Sequence, residues 1–172
     1  MKKIVSILFI SAVCIILFIN LPWKQALVFE EGRTKQQVAY LPMTDGDAFD
    51  IIFVHSIHLT DVTESYVVTG QQIEQKMIRF SQYGIGMPAE VHEGERYEYK
   101  DGMHHLYVND VYFDSMNIRN GKTVSNHRLV VKRRGERERQ LQFNDYFVPG
   151  DWYAVSIQKL SLWQLWRGVE MR

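Results

Sequence analysis

The side chains best able to do chemistry gather in one run, His55-Ser56-Ile57-His58-Leu59-Thr60-Asp61-Val62-Thr63-Glu64. A nucleophilic reading pairs Ser56 with His55, but neighbours on an extended strand point to opposite faces, so that pairing needs the strand to stop first. A metal reading gathers His55, His58 and Glu64, with His104 or His105 from further along, as nitrogen and oxygen ligands for zinc. The set lacks an established ligand spacing such as H-E-x-x-H. A structural reading lets His55 end a buried strand while Ser56, Thr60 and Asp61 satisfy the turn through their own oxygens. Glu64, between Val62 and Tyr66, then needs solvent or a partner, and a His55–Glu64 pair across the hairpin is the expected contact.

A second run, Tyr83-Gly84-Ile85-Gly86-Met87-Pro88-Ala89, contains G-x-G-x-x-A. A phosphate-binding turn must open a helix whose amides face the anion, and Pro88 with the acidic stretch beyond it does not make one. The glycines serve a sharp reversal or a close backbone approach, and the loop can line a pocket. Arg128, Lys132, Arg133, Arg134, Arg137 and Arg139 crowd a third region with Glu136 and Glu138 interleaved. That pattern reads as a solvated hairpin tip or as a contact for anionic lipid headgroups near a membrane anchor.

The elements that must position these groups follow from pattern. From residue 26 onward, short β-branched and aromatic runs alternate with turn residues, which predicts an all-β sandwich or partly open barrel of eight or nine short antiparallel strands. The expected strands are 26–30, 37–41, 49–55, 62–69, 72–80, 105–108, 127–133, 137–143 and 153–160. The apolar run Ile51-Ile52-Phe53-Val54 predicts a central strand covered on both faces. The irregular alternation over 72–79 predicts an outer strand with a wet face, and the acidic stretch 90–101 a solvated loop. Leu162, Trp163, Leu165 and Trp166 share one arc of a short amphipathic helix. It is expected either to plug the sandwich or to lie in a membrane interface, where tryptophan is favoured.

Ahead of this body, Ile4 to Leu21 is an apolar run behind Lys2 and Lys3 that no charge interrupts, with only Ser6, Ser11, Cys14 and Asn20 polar or weakly polar, closed by Pro22 and Trp23. As a helix rising about 1.5 Å per residue it measures roughly 27 Å, enough for a hydrocarbon core of about 30 Å. Lysines before it, against Lys24 alone after it, keep the amino terminus inside and export the rest. The segment Lys24-Gln25-Ala26 lacks the small residues a signal-peptide cleavage site needs, so an uncleaved anchor over residues 1–24 and an extracytoplasmic domain over 25–172 are expected, with secretion after cleavage as the alternative. Cys14 lies inside the apolar run and is the only cysteine, so the exported body has no disulfide and no thiol chemistry. Twenty basic and twenty acidic residues give no net charge over 172 residues, which argues against a nucleic-acid partner. With Lys2, Lys3 and Lys24 set aside, 17 basic and 20 acidic residues leave −3.

The first two runs together resemble the DUF1850 family, which pairs an H-S-x-x-x-T-P-V-x-E-like hairpin with a G-A-G-x-P-like loop. His55, Ser56, Thr60, Glu64, Gly84, Gly86 and Pro88 match. Asp61 stands where a proline is usual and Ile85 where a small residue is usual, which reshapes any pocket between the two. The resemblance spans roughly residues 48 to 160 and implies a small exported bacterial domain, often encoded beside tripartite periplasmic-type (TRAP) transporters of the TAXI class. It carries no catalytic assignment and no cofactor. The expectation is a non-catalytic, membrane-anchored accessory or interaction module. Two readings stand beside it: a metal-binding protein or metal-assisted hydrolase using His55, His58 and Glu64, and a binder of a small carboxylate near Gly84 to Pro88 with an arginine counter-ion.

Overall fold

One residue separates the apolar leader from the β-structure. In the computed structural model, which describes residues 2–88 and 90–172, helix α1 runs Lys2–Asn20 and strand β1 begins at Pro22. Its 18-residue stretch Lys3–Asn20 has the length and apolarity of a membrane-spanning or signal segment, and the body buries none of it. Asn20 closes the helix by donating its side-chain amide to the Ile16 carbonyl at 2.8 Å. Trp23 folds back on the last turn, its indole nitrogen donating to the Phe18 carbonyl at 3.1 Å and its ring 4.9 Å from the Phe18 ring. The strand therefore starts earlier than expected, within residues assigned to the anchor.

The described residues form twelve strands in two sheets, a sandwich and not a closed barrel. β1 (Pro22–Glu31), β2 (Gln37–Pro42), β8 (Met116–Arg119), β11 (Trp152–Ser161) and β12 (Val169–Glu170) make one sheet in the order β12-β2-β1-β11-β8. The other contains β3 (Ala48–Val54), β4 (Asp61–Thr69), β5 (Gln72–Phe80), β6 (Arg96–Lys100), β7 (Met103–Phe113), β9 (Arg128–Lys132) and β10 (Arg139–Gln142), in the order β10-β9-β3-β4-β5-β7-β6. Every pairing is antiparallel except β12 with β2.

All nine expected strands are present, and the extra ones show where pattern misleads. Residues 96–100, expected as loop, form the edge strand β6, in which Tyr97 and Tyr99 alternate with Arg96, Glu98 and Lys100. β8 and β12 are too short to show a period of two. β5, expected at the outside, lies between β4 and β7. A register shift between Gln75 and Met77 interrupts its alternation, and a bulge, not a wet face, explains the broken pattern. β3 is flanked by β9 and β4 as expected and none of its residues is exposed: Phe49 and Ile51 are buried on one face, and Asp50 is buried with Ile52 half-buried on the other.

Between the sheets, Leu27, Phe29, Leu41, Phe49, Ile51, Tyr66, Ile73, Leu129, Phe143 and Val155 form the core. At roughly 1.5–3 kcal/mol for each fully buried large apolar side chain, this cluster carries the stability that no disulfide supplies. A short helix α2 (Leu162–Arg167) follows β11, started by a capping box between Ser161 and Gln164. Only Leu165 of its apolar arc packs inward, against Ala26, Val28, Tyr40 and Leu160 on the outer face of the first sheet. Leu162, Trp163 and Trp166 stay exposed, so the arc expected to act as one plug is divided.

Candidate functional site

The turn after β3 is built around an imidazole. His55 is buried where the strand ends, and the turn closes on itself through His55 N–H to the Thr60 carbonyl (2.8 Å) and Leu59 N–H to the His55 carbonyl (2.9 Å). Within it, the amides of Ile57 and His58 point at His55 Nδ1, at 3.3 and 3.4 Å. Amides can only donate, so Nδ1 accepts and the ring proton sits on Nε2. Nε2 then donates to the Ile85 carbonyl at 3.1 Å, across thirty residues of chain. A single histidine thus caps its own turn and holds the glycine loop.

The loop is shaped to receive it. Met87 N–H bonds to the Gly84 carbonyl at 3.0 Å, and Gly86 sits at φ +89°, the third position of a type II turn, which favours glycine. Gly84 serves close approach: a β-carbon there would lie 2.6 Å from His58 Nε2 and 3.3 Å from His55 Cε1. The two imidazoles stack, 5.0 Å apart at 22°. His55, His58, Gly84 and Gly86 therefore converge, with Pro88 at the end of the same loop; Ala89, the last position of the G-x-G-x-x-A pattern, lies outside the described residues.

The remaining motif residues go elsewhere. Ser56 is exposed on the turn, and Thr60 contributes its carbonyl. The oxygens of Ser56, Thr60 and Asp61 do not cap the turn as expected, because His55 Nδ1 already takes those amides and Asp61 reaches across to Arg128 at 2.5 Å. The expected His55–Glu64 pair is not formed: both His55 nitrogens are occupied, and Glu64 lies mid-strand between Ile51 and Ile78. On the face it shares with Val62 and Tyr66, its carboxylate accepts the Tyr66 hydroxyl at 2.8 Å. Burial raises the Glu64 carboxyl above its ordinary range, which the Tyr66 hydrogen bond only partly offsets. Burial, and then the charge of Glu64, push the Tyr66 phenol upward in turn.

No group of three or more His, Cys, Asp or Glu side chains arranged to hold a metal occurs among the described residues, so His55, His58 and Glu64 are not brought together as ligands. His104 is instead packed among aromatic rings, 5.1 Å from Phe80, 4.5 Å from Tyr83 and 4.9 Å from Tyr99, with the Tyr97 hydroxyl 2.7 Å from its Nδ1. This cluster depends on β6, and the alternation Arg96-Tyr97-Glu98-Tyr99-Lys100 was the signal for it. Beside it lies a cavity of about 20 Å³, lined by Phe80, Tyr83, Pro88, Glu90, Tyr97 and Leu106 among others, with room for a water molecule and little else. Its charged wall is a carboxylate and not the arginine that an anionic ligand would need.

Beside Ser56, the interlocked turns present three large apolar side chains outward. Ile85 is 86% exposed, Leu59 64% and Ile57 59%. Leu59 holds φ +55°, a left-handed conformation that costs an ordinary residue about 1–2 kcal/mol. These side chains lie at the end of the sandwich away from α1. The opposite end is fixed by Gln25, near the start of β1, which donates to the Gly70 carbonyl at 2.8 Å, while the Gly70 amide donates to Asp45 at 2.6 Å. The β4–β5 turn is therefore beside the helix, and the other ends of those strands, with the His55 turn and the glycine loop, are remote from it.

Fold and site together define a two-sheet β-domain behind an apolar helix, with the His55 turn and the glycine loop joined at one tip. Residues 49–137, just over half of the chain, match the family model described as a domain of unknown function, DUF1850; the chain belongs to that family. No curated protein and no solved structure matches it.

Proposed function

We propose that the protein is an interaction module, anchored by α1 with its amino terminus inside and its β-domain outside the cytoplasmic membrane, whose contact surface is the tip made by the two motif turns. One observation carries the reading: three large apolar side chains, Ile57, Leu59 and Ile85, stand exposed on turns locked together by His55. Water gives no reason to keep them there, and strain like that at Leu59 persists where a site uses it. Large apolar side chains exposed together at one end of a domain favour a contact surface. The lysines ahead of α1 favour this orientation. The partner suggested by the family resemblance is a subunit of a TAXI-type solute transporter.

The test uses the full chain in its native membrane, with a photoreactive residue at position 57, 59 or 85 and, as a control, at Arg137, exposed on the β9–β10 turn. Cross-links to a transporter subunit from the tip positions and not from 137 are expected. A lone monomer under gentle extraction, with no adduct from any tip position, would overturn the proposal.

A further inference from the structure

The opposite end of the sandwich offers a second surface, and its chemistry is different. Trp23, Lys24, Pro42, Thr44, Arg133 and Arg134 line an open groove beside the last turn of α1. Trp23 holds the groove against that turn through its bond to the Phe18 carbonyl. Of the six cations in the hairpin 128–139, the fold pairs three: Arg128 with Asp61 and Lys132 with Asp50, both at 2.5 Å, and Arg133 with Glu136. Arg133 is anchored to the Pro42 carbonyl and sits 3.4 Å from Glu136. Arg134 and Lys24 are exposed and have no ion-pair partner among the described residues. Two carboxylates also line the groove: Glu136, which faces Arg133, and Asp47, which is buried and turned to its own loop, accepting the Thr44 amide at 2.8 Å and hydroxyl at 3.0 Å. The groove therefore combines two free cations with an indole where the apolar helix ends.

We propose that this groove binds the headgroup phosphate of an anionic phospholipid in the outer leaflet, taken between Lys24 and Arg134 with Trp23 at the level of the glycerol backbone. The inference rests on the anchored reading of α1. The joint dictates the geometry: with Leu21 alone between helix and strand, a helix that crosses the bilayer must leave the groove at headgroup depth, where tryptophan is favoured and each cation near the surface adds about fivefold in affinity for anionic lipid.

The full chain is reconstituted in vesicles of phosphatidylcholine with a minor share of phosphatidylglycerol, the bromine label placed on either lipid. One variant keeps Trp23 as its sole tryptophan. A matched variant keeps Trp152, half-exposed at the far end of the sandwich. Trp23 should be quenched by brominated phosphatidylglycerol well beyond that lipid's share, while Trp152 is unaffected. K24Q and R134Q should each lower the enrichment, by up to about fivefold. Equal quenching of Trp23 by both lipids, unchanged in K24Q/R134Q, overturns the headgroup site while leaving the anchor standing. Alkaline carbonate extraction tests the anchor separately: if it releases the chain, retention on phosphatidylglycerol vesicles at neutral pH with Trp23 quenched still supports the groove, and loss of both overturns it. A Trp23 response to inorganic phosphate in detergent, absent with sodium chloride of equal ionic strength, would assign the groove to a free anion and overturn the lipid.

Discussion

Replacing Gly84 with alanine isolates the contact that joins the two motifs. Gly84 does not have a positive φ, so alanine brings no backbone penalty there; what changes is one methyl group placed 2.6 Å from His58 Nε2 and 3.1 Å from its Cδ2. Optimal carbon contacts lie near 3.5–4.0 Å, so the imidazole must retreat by roughly 1 Å. It cannot do so freely, because the His55 ring is stacked behind it and is itself tied to the Ile85 carbonyl. Overpacking of this kind costs about 1–3 kcal/mol, and loss of the His55 hydrogen bond would contribute about 1 kcal/mol of that. For a chain of this size, each kcal/mol lowers Tm by about 2–4 °C. In a His58→Ala background the two shortest contacts are gone and only that with His55 Cε1, at 3.3 Å, remains, so Gly84→Ala should cost about 0.5 kcal/mol. Urea unfolding of the detergent-solubilised full chain in all four combinations gives the coupling, expected to be at least about 1 kcal/mol. An equal cost of Gly84→Ala with and without His58 would refute the close-approach argument.

Three other outcomes are expected. Glu64 keeps its proton in the folded chain to higher pH than in the unfolded one, whose ordinary value is 4.5, so its contribution is fully present below that pH and is lost as pH rises through the folded value; Glu64→Gln should flatten this decline in unfolding free energy, and an unaltered pH slope would contradict the burial assignment. Leu59→Asn, which tolerates the left-handed conformation, should raise stability by up to about 1 kcal/mol while reducing photo-cross-linking from position 85, measured in the same membranes. Phe29→Ala, in the fully buried cluster with Phe143 and Phe147, should cost about 3–5 kcal/mol by urea unfolding.

Strand-forming runs with clear punctuation, such as 48–54 and 61–69, were legible because alternation and turn residues agree there. A bulge at Lys76 shifts the period of β5, and such a shift reads in sequence as an outer, wet-faced strand. The 96–100 strand was hidden by composition: its charged residues dominate an acidic neighbourhood, although its tyrosines keep the period of two. At the site, the histidines and glycines were found by type and spacing, and the glycine roles, reversal at Gly86 and close approach at Gly84, follow from general chemistry. The role of His55 was not legible. A turn normally draws its acceptors from serine, threonine or aspartate, and nothing local signals that an imidazole takes the amides of Ile57 and His58 and then reaches Ile85. That bond depends on the sheet order that brings the β3 and β5 ends together.

The single-residue joint between α1 and β1 also governs how a partner could be met. A domain on a long tether searches a hemisphere and loses that freedom on capture, whereas one mounted directly on its helix, with Trp23 bracing the joint, has surrendered most of it in advance. Ten residues of β1 at about 3.3 Å each measure roughly 33 Å along the sandwich, which in the proposed anchored arrangement is the greatest height of the far tip above the bilayer. In the anchored arrangement proposed above, a partner embedded in the same membrane would have to offer its complementary patch at that altitude, and recognition would become a lateral encounter in two dimensions.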